Sequence, residues 1–382
     1  MLIPIANEPL NYNWGSLTAL SQILGRKPSG LPEAELWLGT HDGSPTRVVD
    51  RSDDGDALLS EWLTRHDPAT AGKLPFLLKI LAAESPLSLQ VHPNKEQAQE
   101  GFERENREGV PLNSPARNYK DNAAKPEIIV AISNQFHALA GFRSAKETIA
   151  DLTSFDDRTT TALAPLIRLL AKGLKPAVEW ILLADSAEVE EPLAALLDAA
   201  HAQEPDSTTR LLASKYAQDR GLLLALLLNR VTLQRGEALF LPAGNIHAYL
   251  HGVGVELMGA SDNVLRGGLT TKHVDAAELI SIVDYKPTND SKLEPVPLGS
   301  GVYAYRPDNV GFQLIRADGS AETRIVLTGP TIAICLSGEA RVRTTKASHD
   351  IAQGQSLYLS SEEQAVTLNK GAEVFLAMGE TL

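Results

Sequence analysis

The chain has 382 residues, 43% of them apolar, with a formal net charge of −13. That length exceeds one ordinary hydrophobic core and points to two or three domains. The acidic balance argues against a nucleic-acid or anionic-membrane partner, and the sequence holds no run of about 18 or more uncharged apolar residues to cross a bilayer.

The first residues, MLIPIANEPLNYNW, lack a basic region followed by an apolar segment, so no secretory signal is expected. Residues 1–87 alternate short apolar runs with turn residues such as Trp14-Gly15-Ser16 and Asp42-Gly43-Ser44-Pro45, the pattern of many short strands. Residues 56–64 are the helical exception, with Leu58, Leu59, Trp62 and Leu63 on one face. PFLLKIL reads as a strand, and its Lys79 places a charge among apolar neighbours, which marks an edge or a site. In SLQVHP, Gln90 and His92 stand two apart and share one face of a strand. Lys95–Arg107 is polar and reads as a short solvated helix or loop. Glu127 then opens the apolar run that follows YKDNAAKP.

From about residue 144 the period changes. Leu163, Leu166, Ile167 and Leu170 recur at helical spacing and stop before Gly173. Leu193, Leu196, Leu197 and Ala200 repeat the pattern after Pro192, placed at a first helical turn. Residues 146–228 thus read as a helical block between strands, its leucines serving packing. Strands resume at Val231 and lead into GEALFLPAGNIHAYL, where Pro242 and Gly244 stop one strand and His247 begins the return strand facing an interior. Asp262, Arg266 and Lys272 stand out in the stretch beyond, whereas His41, His251 and His273 read as structural. KPTNDSKLEPVP has a linker's composition, and short strands return over 297–382. There GQSLYLSSEEQAVTL repeats GEALFLPAGNIHAYL with Ala365 at the position of His247, which predicts a second β-unit without the histidine. The single cysteine, Cys335, reads as a small core residue and suits a reducing compartment.

Gln90, His92, Glu127 and His247 together offer two imidazole nitrogens, a carboxylate and an amide oxygen, a donor set suited to zinc or a similar divalent ion. LQVHP, KPE, LPAGNIHAYLHG and SDNVLRGGLTTKH, in that order, with NYNWGS and AELWLGTH before them, resemble the class I mannose-6-phosphate isomerases, zinc enzymes of the cupin superfamily. The resemblance implies a mainly β fold with an α insertion: two cupin-like jelly-roll barrels and a helical domain set into the first. The catalytic barrel would comprise residues 1–145 and 229–285, the helical domain 146–228, and a degenerate barrel without metal 286–382. It also implies one Zn2+ held by Gln90, His92, Glu127 and His247, in a cytoplasmic monomer.

The implied reaction moves a proton between C1 and C2 of a 6-phosphosugar, mannose 6-phosphate to fructose 6-phosphate, through an enediol. Arg266, within the family's NVLRGG motif, would clamp the enediolate or phosphate. Lys125, two residues from Glu127, would serve as the base, with a metal-activated water as competitor for that role. Asp262 would assist ring opening, and Lys79, Lys272 and Trp14 would meet the substrate. Relatives usually carry Asn-His before KPE, where this chain has Ala123 and Ala124, so any proton that family histidine shuttles needs another carrier here. Two other readings fit the same residues: a different metal-dependent cupin enzyme, such as an oxygenase, and a phosphosugar-binding cupin that does not catalyse.

Overall fold

A computed structural model describes residues 1–49, 57–201, 204, 207–288 and 291–379. The fold is mainly β, with sheets of ten, eight and four strands and a run of helices between two strands of the ten-stranded sheet. No helix among the described residues is long and apolar enough to cross a membrane.

The strand His247–Gly259 organises the first β-unit. Its opening residues pair with Gln135–Phe142 and with Gln90, and its later residues pair with Phe76–Ala83 on one side and Glu127–Ala131 on the other. One strand therefore serves two layers, and the corner falls at Gly252, whose φ of 126° favours glycine. A Cβ there would lie 2.8 Å from the Phe136 Cα, so the corner also needs the missing side chain. Between the layers lie Leu81, Ile129, Phe136, Leu239 and Tyr249.

Strand alternation decides what faces that interior. Ile128 and Val130 point outward into a second cluster with Tyr305 and Phe375 of the C-terminal region, leaving Glu127 and Ile129 to point inward. Because this layer is covered on both faces, its strands EIIVA and FLLKILAA are buried along their length and apolar except for Glu127 and Lys79. On the facing layer, Leu89 and Val91 pack against the helices while Gln90 and His92 alternate to the other side.

Seven helices lie between the strands Gln135–Phe142 and Leu228–Gln234 among the described residues, from Ala145–Leu152 to Gly221–Ala225. Leu163, Leu166, Leu170, Leu196 and Leu212 join one core with Leu89, Val91 and Ile246 of the sheet, so the helices brace the strands that carry the polar interior. Pro192 departs from expectation: it lies inside the helix Ser186–His201, not at a first turn. Its ring removes one ladder donor, and flanking turns hold the helix together across it. Lys95–Arg107 is a full helix with Ala98, Gly101 and Glu105 buried, capped by Asn94, whose Oδ1 accepts from the Gln97 amide. The helix expected over 56–64 runs Leu59–His66, and the start of that expected span lies outside the described residues.

The C-terminal region forms a second two-sheet unit around an apolar cluster that includes Ile315, Cys335, Val342, Leu357 and Leu376. At the positions aligned in the sequence, Ser356–Leu359 and Ala365–Leu368 are strands, as are Ala238–Leu241 and His247–Gly259, and Gly354 (φ 81°) and Gly236 (φ 87°) precede them with similar backbone angles. Two segment boundaries need correction. Leu2–Ala6 pairs with Ser356–Leu359, so the first strand belongs to the C-terminal sheet and not with the remainder of 1–145. Lys292–Leu293 pairs with Leu239 and Ala238, so the ladder of the first unit continues past residue 285.

Candidate metal centre

His92, Glu127 and His247 come from three separate stretches of chain, and one ligand atom from each lies within 4.8 Å of the others. All three side chains are buried. The Nε2 atoms of both histidines and the Oε2 of Glu127 make no hydrogen bond, although His92 Nε2 lies 3.2 Å from Glu127 Oε1 and His247 Nε2 lies 3.5 Å from Glu127 Oε2. Proximity without hydrogen-bond alignment leaves three buried polar atoms facing a common point, at a cost of about 1–3 kcal/mol for each buried group left so.

Second contacts fix which nitrogen of each ring is free. His92 Nδ1 lies 2.7 Å from the Asn263 carbonyl and His247 Nδ1 lies 3.0 Å from the Asn245 carbonyl. A carbonyl can only accept, so each Nδ1 carries the proton and each Nε2 keeps its lone pair, the tautomer a metal ligand requires. Burial, then the Lys125 ammonium, push His92 down to about 4, so it stays neutral in neutral solution. For Glu127, burial works toward protonation, but the Lys125 ammonium beside it holds the carboxyl well below the usual range. Two neutral nitrogens and an ionised oxygen therefore fit a divalent cation.

Gln90, the fourth expected donor, is placed by register alone: its Cα partners are His247 on one side and Arg266 on the other. Residues directly opposite in a sheet project to the same face, so Gln90, His247 and Arg266 form one row. Arg266 is half-buried, which pushes its guanidinium down from the ordinary value without discharging it. Lys125 is buried with its Nζ 2.9 Å from Glu127 Oε1. Gln90, Arg266, Lys272 and Trp14 line one cleft of about 530 Å³, together with Lys215 and Tyr216 from the helical region. Trp14 stacks on Tyr12 at 5.6 Å. A second cavity of about 520 Å³, against Leu228–Gln234, contains none of the expected site residues.

Lys79 and Asp262 occupy different settings. Lys79 is buried with its Nζ 3.5 Å from both Glu35 Oε1 and Glu256 Oε2 and 4.4 Å from the centre of the Trp37 ring. Burial opposes its charge, yet Glu35 and Glu256 raise it above the ordinary lysine value. Burial, despite Lys79, pushes Glu256 up to about 7, and Tyr249 donates to it at 2.9 Å. Asp262 is half-exposed at the rim, with Oδ1 3.5 Å from His41 Nε2.

Sequence reasoning missed this Glu35, Glu256 and Tyr249 network, and also Asn263. The Asn263 side chain accepts from the Lys120 amide at 2.7 Å and donates to the Asp121 and Ala123 carbonyls, so it clamps the segment ahead of Lys125 while its own carbonyl orients His92. The order SDN before the basic motif was its only sequence trace.

Residues 2–145 match the model of the phosphomannose isomerase type I catalytic domain. The chain is 37% identical over 377 residues to the mannose-6-phosphate isomerase of Escherichia coli K12, covering 95% of this chain and 96% of that one. It is 30% identical over 395 residues to mannose-6-phosphate isomerase 2 of Arabidopsis thaliana, covering 92% and 87%. The crystal structure of mannose 6-phosphate isomerase from Salmonella typhimurium, bound to fructose 6-phosphate and zinc, superposes with a TM-score of 0.88 at 32% identity over 99% of both chains. With that likeness running the length of the chain and the buried His-Glu-His group beneath it, the protein belongs to the type I mannose-6-phosphate isomerase family.

Proposed function

We propose that the protein interconverts mannose 6-phosphate and fructose 6-phosphate with one zinc ion per chain. The observation that carries this is the trio of buried, unbonded donor atoms of His92, Glu127 and His247 in a chain belonging to that family. Gln90 would supply the fourth donor. A bound divalent ion polarises the oxygens on C1 and C2 and stabilises the charge that develops as a proton leaves carbon.

The remaining chemistry belongs to side chains. Lys125 is assigned the proton transfer between C1 and C2; the ammonium must first give up its own proton, after which the neutral amine acts as base and then, reprotonated, as acid. Arg266 keeps its proton and holds the enediolate or phosphate oxygens. Asp262, paired with His41 at the rim, is assigned to ring opening, the step for which Ala124 offers no group. Lys272 and Trp14 form substrate-facing wall. Lys79, set between two carboxylates, contributes positive potential from within the interior and is poorly placed to give a hydrogen bond to phosphate.

The architecture proposed around this site is two jelly-roll barrels with a helical domain inserted in the first over 146–228. The second barrel would be metal-free and structural, and the protein a cytoplasmic monomer. A coupled assay with mannose 6-phosphate tests the activity: turnover should vanish on chelation and return when zinc is restored. Activity that persists in fully chelated protein would remove the metal from the reaction.

A further inference from the structure

We infer that Lys215, a residue of the helical region, is a phosphate ligand of the cleft; this rests on the phosphosugar reading above. Three cations, Arg266, Lys272 and Lys215, line that cleft of about 530 Å³, and no carboxylate lines it. On a chain of net charge −13 such a lining is a local reversal of sign. None of the three forms an ion pair among the described residues, whereas Lys79, also expected to meet the substrate, is engaged by Glu35 and Glu256.

The Lys215 head is held but not used up. Its Nζ donates to Ser85 Oγ at 3.1 Å, and the neighbouring Tyr216 hydroxyl donates to the Pro86 carbonyl at 2.9 Å. These bonds dock the end of the helix Thr208–Tyr216 on the loop that leads into Gln90. An ammonium has three donors, and a neutral hydroxyl takes one, so two donors and the whole charge remain for an anion. A hydroxyl partner fixes the head in place without neutralising it, which a carboxylate would do. The helical region thereby supplies one cationic wall, and Arg266 on its strand with Lys272 from the segment that follows supplies another.

Lys215→Met tests this in the zinc-loaded enzyme. We expect KM for mannose 6-phosphate and the inhibition constant for inorganic phosphate to rise together by about 10-fold to 100-fold, with kcat changed less than KM, since one charge-assisted contact is lost. Lys215→Arg should recover most of the affinity. Unchanged KM and phosphate inhibition in Lys215→Met would overturn the assignment, as would a fall in kcat alone, which marks a structural pin. Should Lys215→Met not fold, acylation of lysines in wild-type protein, mapped by mass spectrometry, decides independently. Inorganic phosphate should shield Lys215, and equal labelling with and without phosphate would refute the inference. Wild-type protein that binds phosphate at Lys215 yet does not turn over mannose 6-phosphate would defeat the isomerase reading and leave this one standing.

Discussion

The two β-units repeat the same strand, turn and strand, yet their interiors are opposites. In the first unit the strand after the turn opens with His247, and the enclosed space holds His92, Glu127, Lys125, Lys79 and Glu256. In the second the matching position is Ala365, which is only half-buried, while its neighbours Val366 and Leu368 turn into an apolar cluster with Cys335, whose thiol burial pushes up to about 11. Buried charges cost free energy that only pairing or a bound ion offsets, so the first interior is stable because of its partners and the second because of its packing. A common frame can thus carry either chemistry or packing, depending on which residues occupy the inward positions.

Substitutions that interchange these roles should separate the units. The largest effect is expected for His247→Ala, which should lose bound metal by elemental analysis and reduce turnover by about 10³-fold or more. Ala365→His should bind no added metal, because Val366 and Leu368, and not Ala365, turn into the apolar cluster of the second unit; metal uptake there would show that the second unit keeps a usable site. Arg266→Ala should retain metal and lower kcat by about 10²-fold to 10³-fold. Wild-type rates in that variant would cancel the role given to Arg266.

Leu376→Ala, in the second interior, should lower unfolding stability by about 2–5 kcal/mol in denaturant titrations while leaving turnover per folded molecule intact. A pH effect should be confined to the first unit. His92 lies at about 4 in the folded chain against an ordinary 6.5, so the folded state binds fewer protons. Its contribution is therefore present above about 6.5 and lost as pH falls toward about 4. Metal-free protein should lose stability across that window, and His92→Gln should flatten the loss; Glu256 acts with opposite sign in both proteins and cancels in the comparison. Identical pH slopes would contradict the neutral assignment of His92. The smallest effect is expected for Ala124→His, which should leave metal content unchanged and raise turnover on ring-closed substrate. Metal loss in that variant would contradict the view that this position serves proton traffic alone.

Much of the site was legible because strand periodicity is short and donors are few. His92 in QVHP, Glu127 at a strand start and His247 after a Pro-Gly turn each announce an inward position, and the family motifs join them. The helical block was legible from leucine spacing, and the duplicated turn from its glycine and aromatic positions. Glu35, Glu256 and Tyr249 were not, because each is one polar residue in an apolar run and only cross-strand register brings it to Lys79. The Asn263 carbonyl that orients His92 is a backbone atom with no sequence signature. Lys215 lay hidden in an ordinary polar helix, since nothing local says which charge will face a cleft.

The pairing of Leu2 with Leu359 carries a consequence for biosynthesis. The segment around Leu2 must wait, without its hydrogen-bonding mate, until the strand that holds Leu359 has been made. Such far-separated contacts slow folding and leave an unpaired edge open to wrong neighbours, so chaperone dependence should concentrate on this delay. Circular permutation that brings both segments together should shorten it, read as faster refolding at unchanged turnover.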